Sequence, residues 1–283
     1  MSTTISYCST TTGDSKPIYS KPRIFHPDVQ AEIDEKLESM VESGLLEKIQ
    51  FTQWGSQVRP VQKPDGTMRV CGNYVTINLV TVPIKYPFPN MHHLLQSLGQ
   101  AKVFSKLDLA QGYLQIPIKQ EHKEKTALVT VNGIYVFTVM PMGMKNAPAV
   151  FQSLMDKVLG SFRYSFAFAY HDDIIVYSRS VDEHKQHLCQ VLTQLKNANL
   201  SIKLSKSQFC LDTVEYLGFI VSKEGVSASP DKIKPILNYE TPTSLTELER
   251  FLGMTGIYQR FISQYQIKTE PLRRLKKKDT PFI

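Results

Sequence analysis

The chain has 283 residues and 32.2 kDa, with 42% hydrophobic and 21% charged residues, enough for one large domain or two smaller ones. No run approaches the roughly 18 apolar residues of a membrane span, the start Met1-Ser2-Thr3-Thr4-Ile5 lacks the regions of a signal peptide, and Cys8, Cys71, Cys189 and Cys210 form no Cys-x-x-Cys pair, which excludes a membrane protein and argues against a disulfide scaffold or a cysteine zinc site. The net charge of +7 and pI near 9.1 favour a polyanionic partner.

Residues 1–20 are rich in Ser and Thr without an apolar period, and are expected to be a loose leader or linker. A helix follows, capped by Asp28, with Val29, Ile33, Leu37, Val41 and Leu45 recurring every four residues and Gly44 near its end. Residues 54–88 carry short runs (Val58, Val61, Met68, Val70, Tyr74, Ile77) broken by Pro60, Gly72 and the turn signal Pro64-Asp65-Gly66, so a hairpin is expected. A proline-rich stretch, Pro83 to Pro89, leads to a short helix around residues 90–98. Val103-Phe104, Tyr113–Ile118, Thr126–Val131 and Tyr135–Val139 have strand composition.

After Asn146-Ala147-Pro148, the spacing of Val150, Phe151, Leu154, Met155, Val158, Leu159 and Phe162 predicts a helix. Two apolar runs, Phe166–Tyr170 and Ile174–Tyr177, flank His171-Asp172-Asp173. A capping box at Ser180 and Glu183 opens a helix lined by Leu188, Val191, Leu192 and Leu195. A hairpin-like stretch, Val214–Val221, ends near Gly225, and residues 230–283 are expected to be helical with a second capping box at Ser244 and Glu247. Helices mixed with clustered short strands give an α+β class, without regular βαβ alternation.

Asp172 and Asp173 sit between two runs expected to be buried, where carboxylates cost several kcal/mol unless neutralised. Taken alone, the pair suits a solvated turn. Asp108, in Ser105-Lys106-Leu107-Asp108-Leu109, also ends a short strand, and two such strands side by side would bring three hard oxygen ligands together for divalent cations. Adjacent strand residues face opposite sides, so Asp172 is expected to point at the metals with Asp173 in support.

Tyr170-His171-Asp172-Asp173 resembles the Tyr-x-Asp-Asp box of reverse transcriptases, and the chain resembles the polymerase domain of gypsy-type LTR retrotransposons. Ordered blocks carry the likeness: Thr12-Gly13-Asp14; Pro64-Asp65-Gly66 with Arg69; Val80 to Pro83; Phe104 to Leu109 with Gly112-Tyr113; Gln115-Ile116-Pro117; Glu124 to Ala127; Val139-Met140-Pro141 with Gly143; Lys145 to Pro148; Phe151-Gln152; Glu215 to Gly218; Phe251-Leu252-Gly253; and Tyr258 to Phe261.

The resemblance implies a right-hand polymerase fold (fingers, palm, thumb) with an antiparallel palm sheet backed by helices. Residues 21–222 would be fingers and palm, and residues 223–283 thumb and the start of a connection. It implies that an RNA-directed DNA polymerase extends a primer with dNTPs on an RNA or DNA template. Asp108, Asp172 and Asp173 would hold two Mg²⁺ ions, with Mn²⁺ as a substitute. Lys63, Arg69, Tyr113, Met142, Gly143 and Lys206 would bind the nucleotide, Tyr113 excluding a 2′-hydroxyl. Tyr170, His171, Tyr216, Leu217 and Gly218 would hold the primer. Tyr113 as a core tyrosine, and Lys63 and Lys206 as solvated lysines, are the plain alternatives. RNase H and integrase domains would adjoin it in a polyprotein, and the expected location is cytoplasmic, in virus-like particles, or nuclear.

Several positions depart from the family pattern. His171 stands where the family has an aliphatic or small residue, either as a protonatable rival to the cations or as a neutral packing group. Asn73 and Val75 replace a charge pair. Gln57, Arg59 and Pro60 interrupt an expected buried strand, and His92-His93 replaces an acidic pair at a helix start. These departures leave a second reading, a decayed or co-opted copy that binds nucleic acid without polymerising. His184 and His187 are best explained as a solvated helix face rather than a metal site, and Lys276-Lys277-Lys278 as a solvated tail able to touch phosphates. Residues 223–283 hold eleven basic and seven acidic side chains, so more than half the excess charge lies in the last 61 residues.

Overall fold

A computed structural model describes the whole chain except residues 1, 2, 4, 64, 65, 90–93, 96, 99, 100, 278, 279, 281 and 283. Pro64-Asp65, His92-His93 and Lys278 therefore lie outside the described residues, as does most of the helix expected around 90–98, within which Leu94, Leu95 and Ser97 are helical. In chain order the strands are β1 (Leu46–Ile49), β2 (Ser56–Gln62), β3 (Met68–Asn73), β4 (Val103–Asp108), β5 (Leu128–Thr130), β6 (Gly133–Phe137), β7 (Ala167–Tyr170), β8 (Asp173–Ser178), β9 (Gln208–Leu211), β10 (Thr213–Tyr216), β11 (Phe219–Ser222) and β12 (Gly225–Ala228). The α-helices are α1 (Pro27–Glu42), α2 (Val75–Val80), α3 (Ala147–Leu159), α4 (Val181–Asn197), α5 (Pro230–Leu237), α6 (Leu245–Ile257) and α7 (Tyr265–Arg274).

The strands make three sheets among the described residues, ordered β1-β6-β5-β2-β3, β7-β8-β4-β9 and β10-β11-β12. The four-stranded sheet is antiparallel throughout and positions the acidic residues. Strands β4, β7 and β8 are largely buried on both sides, which explains the unbroken run Ile174 to Tyr177, while the edge strand β9 is mostly exposed. Leu107, Ile174 and Val176 share one core with the apolar faces of α3 and α4. Phe104, Ile175 and Tyr177 face the other way, onto Leu94, Val214, Tyr216, Phe219 and Val221. Both serine caps form: the hydroxyls of Ser180 and Ser244 accept the N–H groups of Glu183 and Glu247 at 3.3 Å, while the two glutamates accept the N–H groups of Arg179 (2.6 Å) and Thr243 (2.8 Å), one residue before each cap. Among the described residues no helix is long and apolar enough to cross a membrane.

Four expectations are corrected. Thr3 and residues 5–20 are not loose. Cys8 N–H donates to Pro117 O (2.8 Å), Lys119 N–H to Cys8 O (3.1 Å), Val82 N–H to Thr11 O (2.8 Å) and Ser20 N–H to Gly55 O (2.9 Å). Thr3, Cys8, Thr10 and Thr12 are buried, and burial pushes the Cys8 thiol up to about 12. Secondly, α1 starts at Pro27 with His26 at the N-cap, and Asp28 sits in the first turn, where its charge suits the positive end of the helix. Thirdly, Tyr113–Ile118 is not a strand, since Gly112–Gln115 is a 3₁₀ turn. Finally, β2 runs straight through Arg59 and Pro60. Ser56 N–H points to Ala127 O, just before β5, so Pro60, two pairs of residues on, faces the same side, where pairing with β5 has already ended at Gln57. Its missing donor is not needed there.

The Asn73 and Val75 substitutions also fit the fold. They stand at the start of α2, where Asn73 Oδ1 accepts the Val75 N–H (3.4 Å) and Val75 is 66% exposed. No buried charge is left unpaired there.

Candidate active site

The β4–β8 register places Asp108 directly opposite Asp173, at the end of the sheet where β7 turns into β8. Directly paired residues point to one face, so these two carboxylates look into the same cleft. Asp172 belongs to the two-residue turn joining the strands and is free of the strand's alternation. The backbone of that turn is forced: His171 has φ +52°, and its N–H donates to Gln152 Oε1 (3.2 Å), while Gln152 Nε2 donates to Ala169 O (3.0 Å).

The Asp172 carboxyl lies against the turn at Gly112. A Cβ at Gly112 would stand 2.8 Å from Asp172 Oδ1 and 3.0 Å from Phe151 Cζ, so only glycine fits. Asp172 Oδ1 is buried and has no hydrogen-bond partner. Burial, then the charges of Asp173 and Asp108, push its carboxyl from 3.8 up to about 6. Asp173 is held by Lys106 Nζ at 3.1 Å, from two residues before Asp108 on the same strand face.

An unpaired buried oxygen and mutual repulsion among carboxylates are both relieved by cations, and an all-oxygen donor set suits a hard ion such as Mg²⁺. These residues therefore fit a divalent-metal role. Among the described residues no group of three His, Cys, Asp or Glu is already gathered to hold an ion, in keeping with Asp173 being turned toward Lys106.

The candidate nucleotide residues divide. Lys63, Arg69 and Met142 line one cavity of about 230 Å³, with Gln111 and Leu114 in its wall, and Arg69 Nη1 lies 3.7 Å from Met142 Sδ. Gly143 follows at φ +91°, its carbonyl accepting from Asn78 Nδ2 (2.7 Å). Tyr113 packs on Phe151 (ring centroids 5.1 Å), with its hydroxyl 3.4 Å from His171 Nδ1. Burial and Asp172 push that phenol up to about 12. Lys206 stands apart from the first three, in a larger cleft of about 660 Å³ with Lys106, Asp108, Asp173, Leu217, Gly218, Lys232 and Tyr258.

The candidate primer residues divide as well. Leu217 (φ +52°) and Gly218 (φ +84°) form the two-residue turn between β10 and β11 and line the larger cleft. Tyr216 is corrected: it is 0% exposed, and its hydroxyl donates to the Asp173 carbonyl (3.0 Å), so it braces the acidic strand instead of facing a ligand. Tyr170 packs edge-on against His171 (4.7 Å), which also meets Phe88 (5.4 Å). Burial lowers the proton affinity of His171 despite Asp173, which favours its reading as a neutral packing group.

Sequence reasoning missed Lys106 as the partner of Asp173 and Gln152 as the support of the turn. It also placed His184 on a solvated face. His184 is 0% exposed and bonded through both nitrogens to Ser105 Oγ (2.7 Å) and Ser178 Oγ (2.8 Å).

Comparison with known proteins bears on this arrangement. A family profile described as "Reverse transcriptase (RNA-dependent DNA polymerase)" matches residues 61–221. The Pol polyprotein of transposon opus from Drosophila melanogaster is 37% identical over 93% of the chain, and that of transposon gypsy is 31% identical over 92%. The chain spans only 27% and 26% of those polyproteins. Among solved structures, the foamy viral protease-reverse transcriptase in complex with dsDNA matches 97% of this chain and 57% of its own, with TM-score 0.84 and 26% identity. The same protein in complex with RNA/DNA hybrid matches 97% and 37%, with TM-score 0.80 and 25% identity.

Proposed function

Because the chain belongs to the reverse transcriptase (RNA-dependent DNA polymerase) family, we propose that it extends a primer with dNTPs on an RNA or DNA template. The observation that carries the proposal is the cross-strand pairing of Asp108 and Asp173 in a cleft also lined by Lys106, Lys206 and Lys232, with Asp172 and its buried, unpaired oxygen in the adjoining turn. Two Mg²⁺ ions, replaceable by Mn²⁺, would be held by Asp108, Asp172 and Asp173 and would supply Lewis-acid activation of the primer 3′-hydroxyl and neutralise the pyrophosphate leaving group.

The chain's own residues then bind and orient. Lys63 and the planar guanidinium of Arg69 hold the triphosphate, Arg69 in bidentate fashion. Met142 shapes the wall of that cavity, and Gly143 follows it at φ +91°. Tyr113 stands between Phe151 and the Asp172 turn, where its ring excludes a 2′-hydroxyl. Leu217, Gly218 and Tyr170 take the primer end, and Lys206 and Lys232 meet phosphates in the larger cleft. Residues 21–222 would serve as fingers and palm and residues 223–283 as thumb, with RNase H and integrase units alongside in a polyprotein.

The test is primer extension on an RNA template with Mg²⁺ and with Mn²⁺. Extension that is lost in Asp172→Asn is expected. Duplex binding without extension under either metal would favour the decayed copy, and extension surviving both Asp108→Asn and Asp172→Asn would refute the mechanism.

A further inference from the structure

The buried imidazole of His184 has no place in the polymerase reading so far, yet it is tied to both strands that carry the acidic pair. Ser105 on β4 and Ser178 on β8 are diagonal neighbours on the helix-facing side of the sheet, and His184 from α4 bonds one with each ring nitrogen. Ser178 Oγ also lies 2.8 Å from His187 Nδ1, and His187 stacks on Phe166 at 3.8 Å.

The proton order in this chain follows from its fixed end. β9 is bulged against β4: Phe104 pairs with Leu211 and Lys106 with Gln208, so Ser105 alone opposes Phe209 and Cys210. Cys210 has φ +52°, and its N–H donates to Ser105 Oγ (3.0 Å). Ser105 Oγ is thereby an acceptor, and the arrangement that also uses its own proton gives it to His184 Nε2. In that arrangement, which satisfies every hydroxyl proton of the chain, His184 Nδ1 carries the ring proton and donates to Ser178 Oγ, whose proton passes to His187 Nδ1. Burial and the neighbouring His187 keep the proton affinity of His184 low, consistent with this neutral form.

Just before the bulge the chain wraps the end of β4. Lys203 N–H donates to Asp108 O (2.7 Å), Asp108 N–H donates to Ser207 Oγ (3.1 Å), and Lys206 joins the cleft beside Asp108 and Asp173. Residues 203–208 thus meet the acidic strand immediately before the bulge, which fixes the far side of the same strand pair.

Resting on the polymerase reading above, we infer that His184 is a positioning residue: its two hydrogen bonds lock the β4–β8 register behind Asp108 and Asp173, and through Ser105 hold the Cys210 bulge, which follows the segment that brings Lys206 and Ser207 to Asp108. It touches neither substrate nor metal. Its contribution falls on the turnover step, which needs the carboxylates placed to within fractions of an ångström, and not on nucleotide affinity, whose cavity lies elsewhere.

Ring ¹⁵N NMR of the full chain is expected to show His184 protonated at Nδ1 and bare at Nε2. In His184→Leu and Ser105→Ala, hydrogen exchange at the Cys210 amide should rise at least about tenfold over wild type. On an RNA template, kcat should fall by about tenfold or more while KM for dNTP stays within about twofold, and His184→Gln, which keeps an acceptor toward Ser105, should recover most of the loss. The opposite tautomer, unchanged exchange at Cys210, or a KM effect as large as the kcat effect would overturn the inference. If His184→Leu does not fold, Ser105→Ala decides the matter. If the wild type does not extend primers, the tautomer and exchange readouts still judge the relay, and the failure belongs to the polymerase reading.

Discussion

Asp172→Asn should stabilise the metal-free protein. The substitution keeps the side chain's shape and removes a charge that the fold resists: burial and the neighbouring Asp173 and Asp108 raise this carboxyl from 3.8 to about 6. Each unit corresponds to about 1.4 kcal/mol between protonation states, so the shift sets an upper bound of about 3 kcal/mol. Partial solvent contact screens the site, and about 1–1.5 kcal/mol is a realistic figure. For a chain of this size that is a rise of roughly 2–5 °C in Tm. A carboxyl whose folded pKa is raised penalises the folded state when charged. The penalty is complete above about pH 6, shrinks as pH falls, and disappears below about pH 4, where folded and unfolded chains are both protonated. Thermal melts in chelator should therefore show the variant ahead of wild type at pH 8 and level with it near pH 4. Added Mg²⁺ should then raise the wild-type Tm and leave the variant's nearly unmoved. A variant that melts below wild type at pH 8, or a difference that does not change with pH, would refute the placement of Asp172 among repelling carboxylates.

Three further outcomes are expected. Gly112→Ala forces a Cβ to 2.8 Å from Asp172 Oδ1 and should cost about 1–3 kcal/mol in urea melts and more than tenfold in kcat; wild-type values would show that the Gly112 turn is not tight. Tyr113→Val should raise rNTP incorporation relative to dNTP by about tenfold to a hundredfold in competition assays, whereas Tyr113→Phe should not, since the ring and not the hydroxyl does the excluding. Tyr216→Phe removes the bond to the Asp173 carbonyl and should lower stability by about 1 kcal/mol while primer affinity stays unchanged; weaker primer binding would return Tyr216 to the ligand-facing set.

Legibility in the sequence varied with the kind of interaction. Apolar runs before Asp108 and around His171-Asp172-Asp173 marked strand ends in the sequence, but the two-residue turn was not legible: Asp172 was expected to alternate with Asp173 along a strand and instead stands in the turn, which leaves Asp173 paired with Asp108. Helices α3, α4 and α6 were readable from apolar spacing and from Ser180 and Ser244 with their glutamates. The segment before residue 20 was not, because it is held by backbone N–H groups and by small buried side chains such as Thr10 and Cys8, which leave no apolar period. Helix α2 was hidden by the β-branched Val75, Thr76 and Ile77, whose strand preference the tertiary structure overrides. His184 misled for a related reason: a polar residue on a helix looks solvated until the hydroxyls of Ser105 and Ser178 are known to face it. Lys106 was masked by its place inside an apolar strand, since only the β4–β8 register brings it to Asp173.

The sharpest test of the whole account is single-nucleotide incorporation on a primed RNA template, followed in rapid quench for wild type and for Asp108→Asn, Asp172→Asn and Asp173→Asn. Asp172, with its unpaired buried oxygen, and Asp108 should each be indispensable, and their variants should fall to background with either Mg²⁺ or Mn²⁺. Asp173, already neutralised by Lys106, should retain measurable incorporation when changed. Loss at Asp173 with full activity at Asp172, or incorporation that persists in all three variants, would contradict the account.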